Sequence, residues 1–114
     1  MNKWIEYCMT KRGTSQTNPF GPDVHVMKAG TKMYALFPTD GNPSVSLKCD
    51  PFKADSLREQ YPEITPGYHL NKKHWNTVAL DGNLTDEEVQ AMIDHSYELV
   101  LKGMTKTERT KIGS

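Results

Sequence analysis

With 114 residues, the chain is long enough to bury one hydrophobic core without metal or disulfide staples. Fourteen basic and fourteen acidic side chains cancel, so any affinity for nucleic acid must come from uneven placement of charge and not from global attraction. Two widely separated cysteines, Cys8 and Cys49, exclude a disulfide framework; with no signal-peptide pattern at the N-terminus they predict a reducing, cytoplasmic setting. No apolar run approaches the ~18 to 20 residues that a membrane span requires.

Trp4, Ile5, Cys8 and Met9 fall on one stripe of a short amphipathic helix, with Gly13 placed to end it. Arg12 to Asn18 reads as a polar link without period, and Asn18 to Asp23 is dense in turn formers. Strand grammar begins at Val24. The runs His25 to Ala29 and Lys32 to Phe37 flank Gly30-Thr31, a two-residue loop with glycine first that suits a type II′ hairpin. After the turn Pro38 to Pro43, Ser44 to Cys49 alternates with Val45, Leu47 and Cys49 on one face, which predicts a three-stranded antiparallel meander.

Asp50-Pro51 starts a helix, since the carboxylate can cap free amides and a first-turn proline loses no bond. Phe52, Leu57 and Tyr61 are its expected packing residues, and Pro62 stops it. Thr65-Pro66-Gly67 predicts a bend, Tyr68 to Leu70 an extended run, Asn71 to His74 an exposed tip, and Trp75 to Leu80 a returning strand. Thr85 to Glu88 is a capping box, and Val89, Met92, Ile93, Ser96, Tyr97, Val100 and Leu101 recur at helical spacing until Gly103. The expected architecture is a single α+β domain over residues 1–103, in the order α-β-β-β-α-β-β-α. A five-stranded antiparallel sheet carries its helices mainly on one face, and residues 104–114 follow as a polar tail or a frayed short helix.

The second hairpin is the candidate site. It gathers Lys72, Lys73, His69, His74, Asn71 and Asn76 with the rings of Tyr68 and Trp75, a mixture that can grip phosphate and sugar while a ring stacks or packs. The competing reading is structural: Trp75 and Leu70 face a core, and the lysines keep the loop tip solvated. Elsewhere chemistry is sparse. His69 and His74 lack a third ligand at metal-site spacing, and there is no glycine-rich phosphate loop, nucleophile elbow or paired-cysteine motif. Cys8 and Cys49 both lie on apolar faces and read as small core residues. Asp94 and His95 diverge on their helix, so they form no acid/base pair and read as solvent-exposed. The expectation is a protein without catalytic residues, metal or cofactor.

Phe20-Gly-Pro-Asp-Val24, Lys32-Met-Tyr-Ala-Leu36, Leu47-Lys-Cys-Asp-Pro51, the long run Thr65 to Val78 and Ile93-Asp-His-Ser-Tyr-Glu-Leu-Val100 together resemble the MmcQ/YjbR family. The resemblance covers nearly the whole chain, and the long central run is its most specific part. It implies a small bacterial protein with a CyaY-like α+β fold that binds DNA through two β-hairpin wings. On that expectation Asn71, Lys72, Lys73, His74 and His69 form one wing and Lys32, beside the Gly30-Thr31 tip, marks the other, with Lys28 and Lys48 extending the basic surface. Binding would be weak and salt-sensitive, by a monomer or weak dimer. The alternative is a non-enzymatic adaptor that takes a protein or small ligand on the open sheet face or beside Tyr68 and Trp75. Lys11 to Asn18 departs from the family pattern and adds local positive charge.

Overall fold

The computed structural model describes residues 2–67 and 70–112. Helix α1 (Asn2–Met9) precedes four strands, β1 (Thr14–Thr17), β2 (Val24–Ala29), β3 (Lys32–Pro38) and β4 (Ser44–Lys48). Helix α2 (Pro51–Gln60), strands β5 (Ile64–Pro66) and β6 (Trp75–Ala79), and helices α3 (Asp86–Lys102) and α4 (Lys106–Lys111) complete the chain. The strands form one six-stranded antiparallel sheet in the order β1-β2-β3-β4-β6-β5.

The sixth strand corrects the expected count of five. Thr14 to Thr17, read as an irregular link, pairs with β2 from Thr14 opposite Ala29 to Thr17 opposite Val26. An edge strand needs one paired neighbour and no apolar face, so its polar sequence concealed it. The second hairpin is also shifted. Thr65 and Pro66 of the expected Thr65-Pro66-Gly67 bend belong instead to strand β5, which pairs with β6 with Pro66 opposite Asn76. Proline is tolerated there because β5 is the other edge and its missing N–H breaks no ladder bond. Tyr68 lies outside the described residues, so the extended run expected from Tyr68 to Leu70 is not described as one.

Helices and sheet enclose one core. Met27, Tyr34, Phe37, Val45, Leu47, Ile64 and Val78 from the sheet meet Trp4 and Cys8 of α1 and Val89, Met92, Ile93 and Val100 of α3. Ser96 of α3 is fully buried, and its hydroxyl donates to the Tyr34 carbonyl at 2.6 Å while accepting from the Lys48 amide at 2.9 Å, which pins α3 across β3 and β4. The Thr85–Glu88 capping box forms in both directions. Residues 104 onward pack and cap too: Met104 is buried, a second capping box from Thr105 to Glu108 starts α4, and Ile112 comes to rest on Gly13.

Two expected packing residues are exposed instead. Met9 is 47% exposed at the end of α1, and Phe52 is 88% exposed in the first turn of α2, where Ala54 takes the buried position. Ala54, Leu57, Arg58 and Tyr61 follow the i, i+3, i+4, i+7 spacing of one face, from which Phe52 is excluded. The opposite sheet face carries a second, smaller cluster of Val26, Leu36 and Trp75, against which Val24, Met33 and Leu70 pack.

Candidate nucleic-acid interface

The strand registers decide where the two hairpin tips lie. Ala29 pairs with Lys32 beside the first tip, Ala35 with Leu47, Lys48 with Trp75, and Pro66 with Asn76. The Gly30-Thr31 tip, the C-terminal end of β4 and the loop residues Gly67 and Leu70 to His74 therefore share one end of the sheet. Only β4 separates β3 from β6, a lateral distance of about 10 Å at the usual strand spacing. Lys32, Lys48, Lys72, Lys73 and His74 follow one another along that end.

The described loop residues are tied down by hydrogen bonds. Asn71 Oδ1 accepts from the Lys73 amide at 2.9 Å and the His74 amide at 3.3 Å, a local turn that commits its oxygen and leaves its NH2 for other contacts. The Lys72 ammonium donates to the Gly67 carbonyl at 2.8 Å across the loop base. The Cys49 amide donates to the His74 carbonyl at 2.8 Å, joining the loop to the end of β4. Arg58 reaches in from α2: Nε donates to Asn76 Oδ1 at 2.7 Å, and one terminal nitrogen donates to the carbonyls of Lys72 and Trp75.

Asn71, Lys72, Lys73 and His74 are all exposed. Lys73 and His74 form no ion pair among the described residues. Lys32 is exposed too, but it sits near Glu108 of α4, whose carboxyl pKa is held below the ordinary value mainly by the Thr105 amide, with Lys32 contributing. His69 lies outside the described residues. Arg58 and Phe52 are the residues that sequence reasoning missed. The position of Arg58 four residues after buried Ala54 was the signal that it points inward.

Lys11 does not extend the basic end freely. It pairs with Asp94 at 2.5 Å and lies over the rings of Tyr7 and Tyr97, and Tyr7 donates to the same carboxylate at 2.6 Å. That hydrogen bond is the main reason the Tyr7 phenol is pushed up to about 12. Asp94 and His95 do diverge, yet neither is left to solvent: His95 is half-buried and its Nε2 accepts from the Asp50 amide at 3.3 Å. Cys8 and Cys49 are buried free thiols, and burial pushes Cys8 up to about 11.

The open sheet face presents a different feature. A cleft of about 780 Å³ runs over Val24, Leu36, Ser46 and Thr77, between Phe20 on one side and Leu70 on the other. Ser46 and Thr77 hydroxyls meet at 2.9 Å on its floor. Trp75 is not an exposed contact ring: it is 8% exposed, packed among Val26 and Leu36 and covered by Leu70. No described helix is long and apolar enough to cross a membrane.

The family model YjbR matches residues 9–99. The uncharacterised protein YjbR of Escherichia coli K12 is 33% identical over 110 residues, covering 96% of this chain and 93% of the relative. The uncharacterised protein YbdF of Escherichia coli O157:H7 is 37% identical over 95 residues, covering 82% and 78% respectively. Among solved structures, the Deinococcus radiodurans protein DR2400, with the family-model domain DUF419, is 40% identical with a TM-score of 0.90, covering 98% of this chain and 86% of that one. A Pseudomonas syringae protein is 33% identical with a TM-score of 0.75, covering 86% and 96%.

Proposed function

The chain belongs to the YjbR family, and on that premise we propose that it binds nucleic acid, holding phosphates along the basic end of its sheet. The observation that carries this reading is the common end shared by both hairpin tips, with Lys48 between Lys32 and the Lys72-Lys73 pair. A zero net charge can then coexist with a local positive rim. Lys73 and His74 contact phosphate, Lys72 adds its remaining protons from an anchored ammonium, and the Asn71 NH2 donates beside them. Lys32 contributes less, since Glu108 offsets its charge.

Two to four phosphates neutralised on a duplex give a log-log salt slope of about −2 to −4 and weak binding at physiological salt. Fluorescence anisotropy at two salt concentrations tests this. The Lys72→Ala/Lys73→Ala variant should bind less tightly and show a shallower slope; equal binding by both proteins removes the reading.

The cleft on the open sheet face favours a second reading, a site for an apolar ligand or protein segment that would lie over Leu36 between Phe20 and Leu70. An amide-shift titration with an apolar probe, confined to β2, β3 and β6 residues of that face, would support it.

A further inference from the structure

Resting on the nucleic-acid reading, we propose that Phe52 is a stacking platform for an unpaired base, so that the basic end of the sheet takes single-stranded nucleic acid in preference to duplex. Phe52 is 88% exposed, more than the other exposed large apolar side chains among the described residues, Phe20 at 62% and Met9 at 47%. Its helix buries Ala54 and has no packing use for the ring. The backbone that carries the ring is nevertheless anchored. Pro51 fixes the preceding backbone, and the Asp50 carboxylate accepts from the amide of Phe52 itself at 2.9 Å.

What lies opposite gives the ring its meaning. A concavity of about 580 Å³ is lined by Pro51 and Phe52 from α2 and by Lys72, Lys73 and His74 from the loop. Asp55, the one acidic side chain in that lining, is paired with Arg58 at 3.4 Å. An aromatic face beside cationic groups is the combination that holds a nucleotide: the ring takes the base and the ammonium takes its phosphate. In a duplex both faces of each base are already stacked, so the ring can be used only by a base that is unpaired or extruded.

The test is anisotropy with labelled oligothymidine and a labelled duplex, using wild type, Phe52→Ala, Phe52→Trp and Lys72→Ala/Lys73→Ala. Phe52→Ala should weaken single-strand binding about fivefold or more and leave duplex binding unchanged. Phe52→Trp should keep single-strand affinity and show a fluorescence quench on adding oligothymidine that wild type lacks. If the lysine substitutions weaken binding while Phe52→Ala does not, or if the emission of the Phe52→Trp variant is unmoved, stacking is overturned and the phosphate reading stands. If wild type binds neither oligonucleotide at low salt, both fail together.

Discussion

Arg58 Nε donates to Asn76 Oδ1 at 2.7 Å, so a helix reaches into the inner strand β6 and holds the loop that precedes it. Asn76 is 2% exposed, and among the described residues its Nδ2 has no partner, which makes the arginine bond the one that offsets burial of the amide. Arg58→Ala strips that bond and the two to loop carbonyls. It should cost about 2 to 3 kcal/mol, the range for bonds to a charged donor whose partner is left buried. Urea unfolding checks the loss, and hydrogen exchange should show faster amides at Lys73 and His74.

Gly67 is required for space. A Cβ there would meet Trp75 Cβ at 2.7 Å and the Trp75 carbonyl oxygen at 3.0 Å, on the ladder bond that its own amide makes at 2.9 Å. Gly67→Ala should therefore cost about 1 to 3 kcal/mol and displace Trp75. Gly41→Ala offers the contrast: its φ is +77°, with nothing within 4 Å of a new Cβ, so strain is local. Both variants lower the urea midpoint, but only Gly67→Ala should change tryptophan fluorescence in the folded state.

His95 should make stability depend on pH. Burial, and next the charge of Lys53, hold its pKa below the ordinary histidine value, against the opposing pull of Asp50 and Glu98, while Lys102 adds to the lowering. The neutral ring accepts the Asp50 amide, a bond that protonation would break. The unfolded chain takes up this proton at about pH 6.5, whereas the folded chain resists it. The contribution is thus complete above that pH and is lost as pH falls through the depressed folded value. Urea midpoints at pH 7.5 and 5.5 should fall on acidification, and His95→Gln should reduce the fall.

The two thiols should be inert in the folded protein. Cys8 is wholly buried with its pKa pushed up to about 11, and Cys49 is 5% exposed with its pKa raised mainly by burial. Neither supplies thiolate at neutral pH. A thiol reagent should titrate both only after denaturant is added, so rapid modification of either in the native state would contradict this packing.

The resemblance pointed to this family from residues spread along the whole chain, and local patterns located most of its elements. Thr85 to Glu88 announces the start of α3, Asp50-Pro51 the start of α2, and the alternation of Val45, Leu47 and Cys49 orients β4, because caps and side-chain periods act within a few residues. The polar edge strand Thr14 to Thr17 escaped this reading, since its pairing with β2 leaves no apolar signature. Pro66 suggested a bend for a related reason: whether proline breaks a strand depends on whether that strand lies at an edge.

The candidate site divides along the same line. Exposure of Asn71, Lys72, Lys73 and His74 was legible because so polar a run cannot be buried without partners. Their alignment with Lys48 and Lys32, the inward reach of Arg58 and the outward ring of Phe52 were decided by tertiary structure. Each depends on strand order and helix docking, which bring together residues far apart in the chain through contacts that no local pattern encodes.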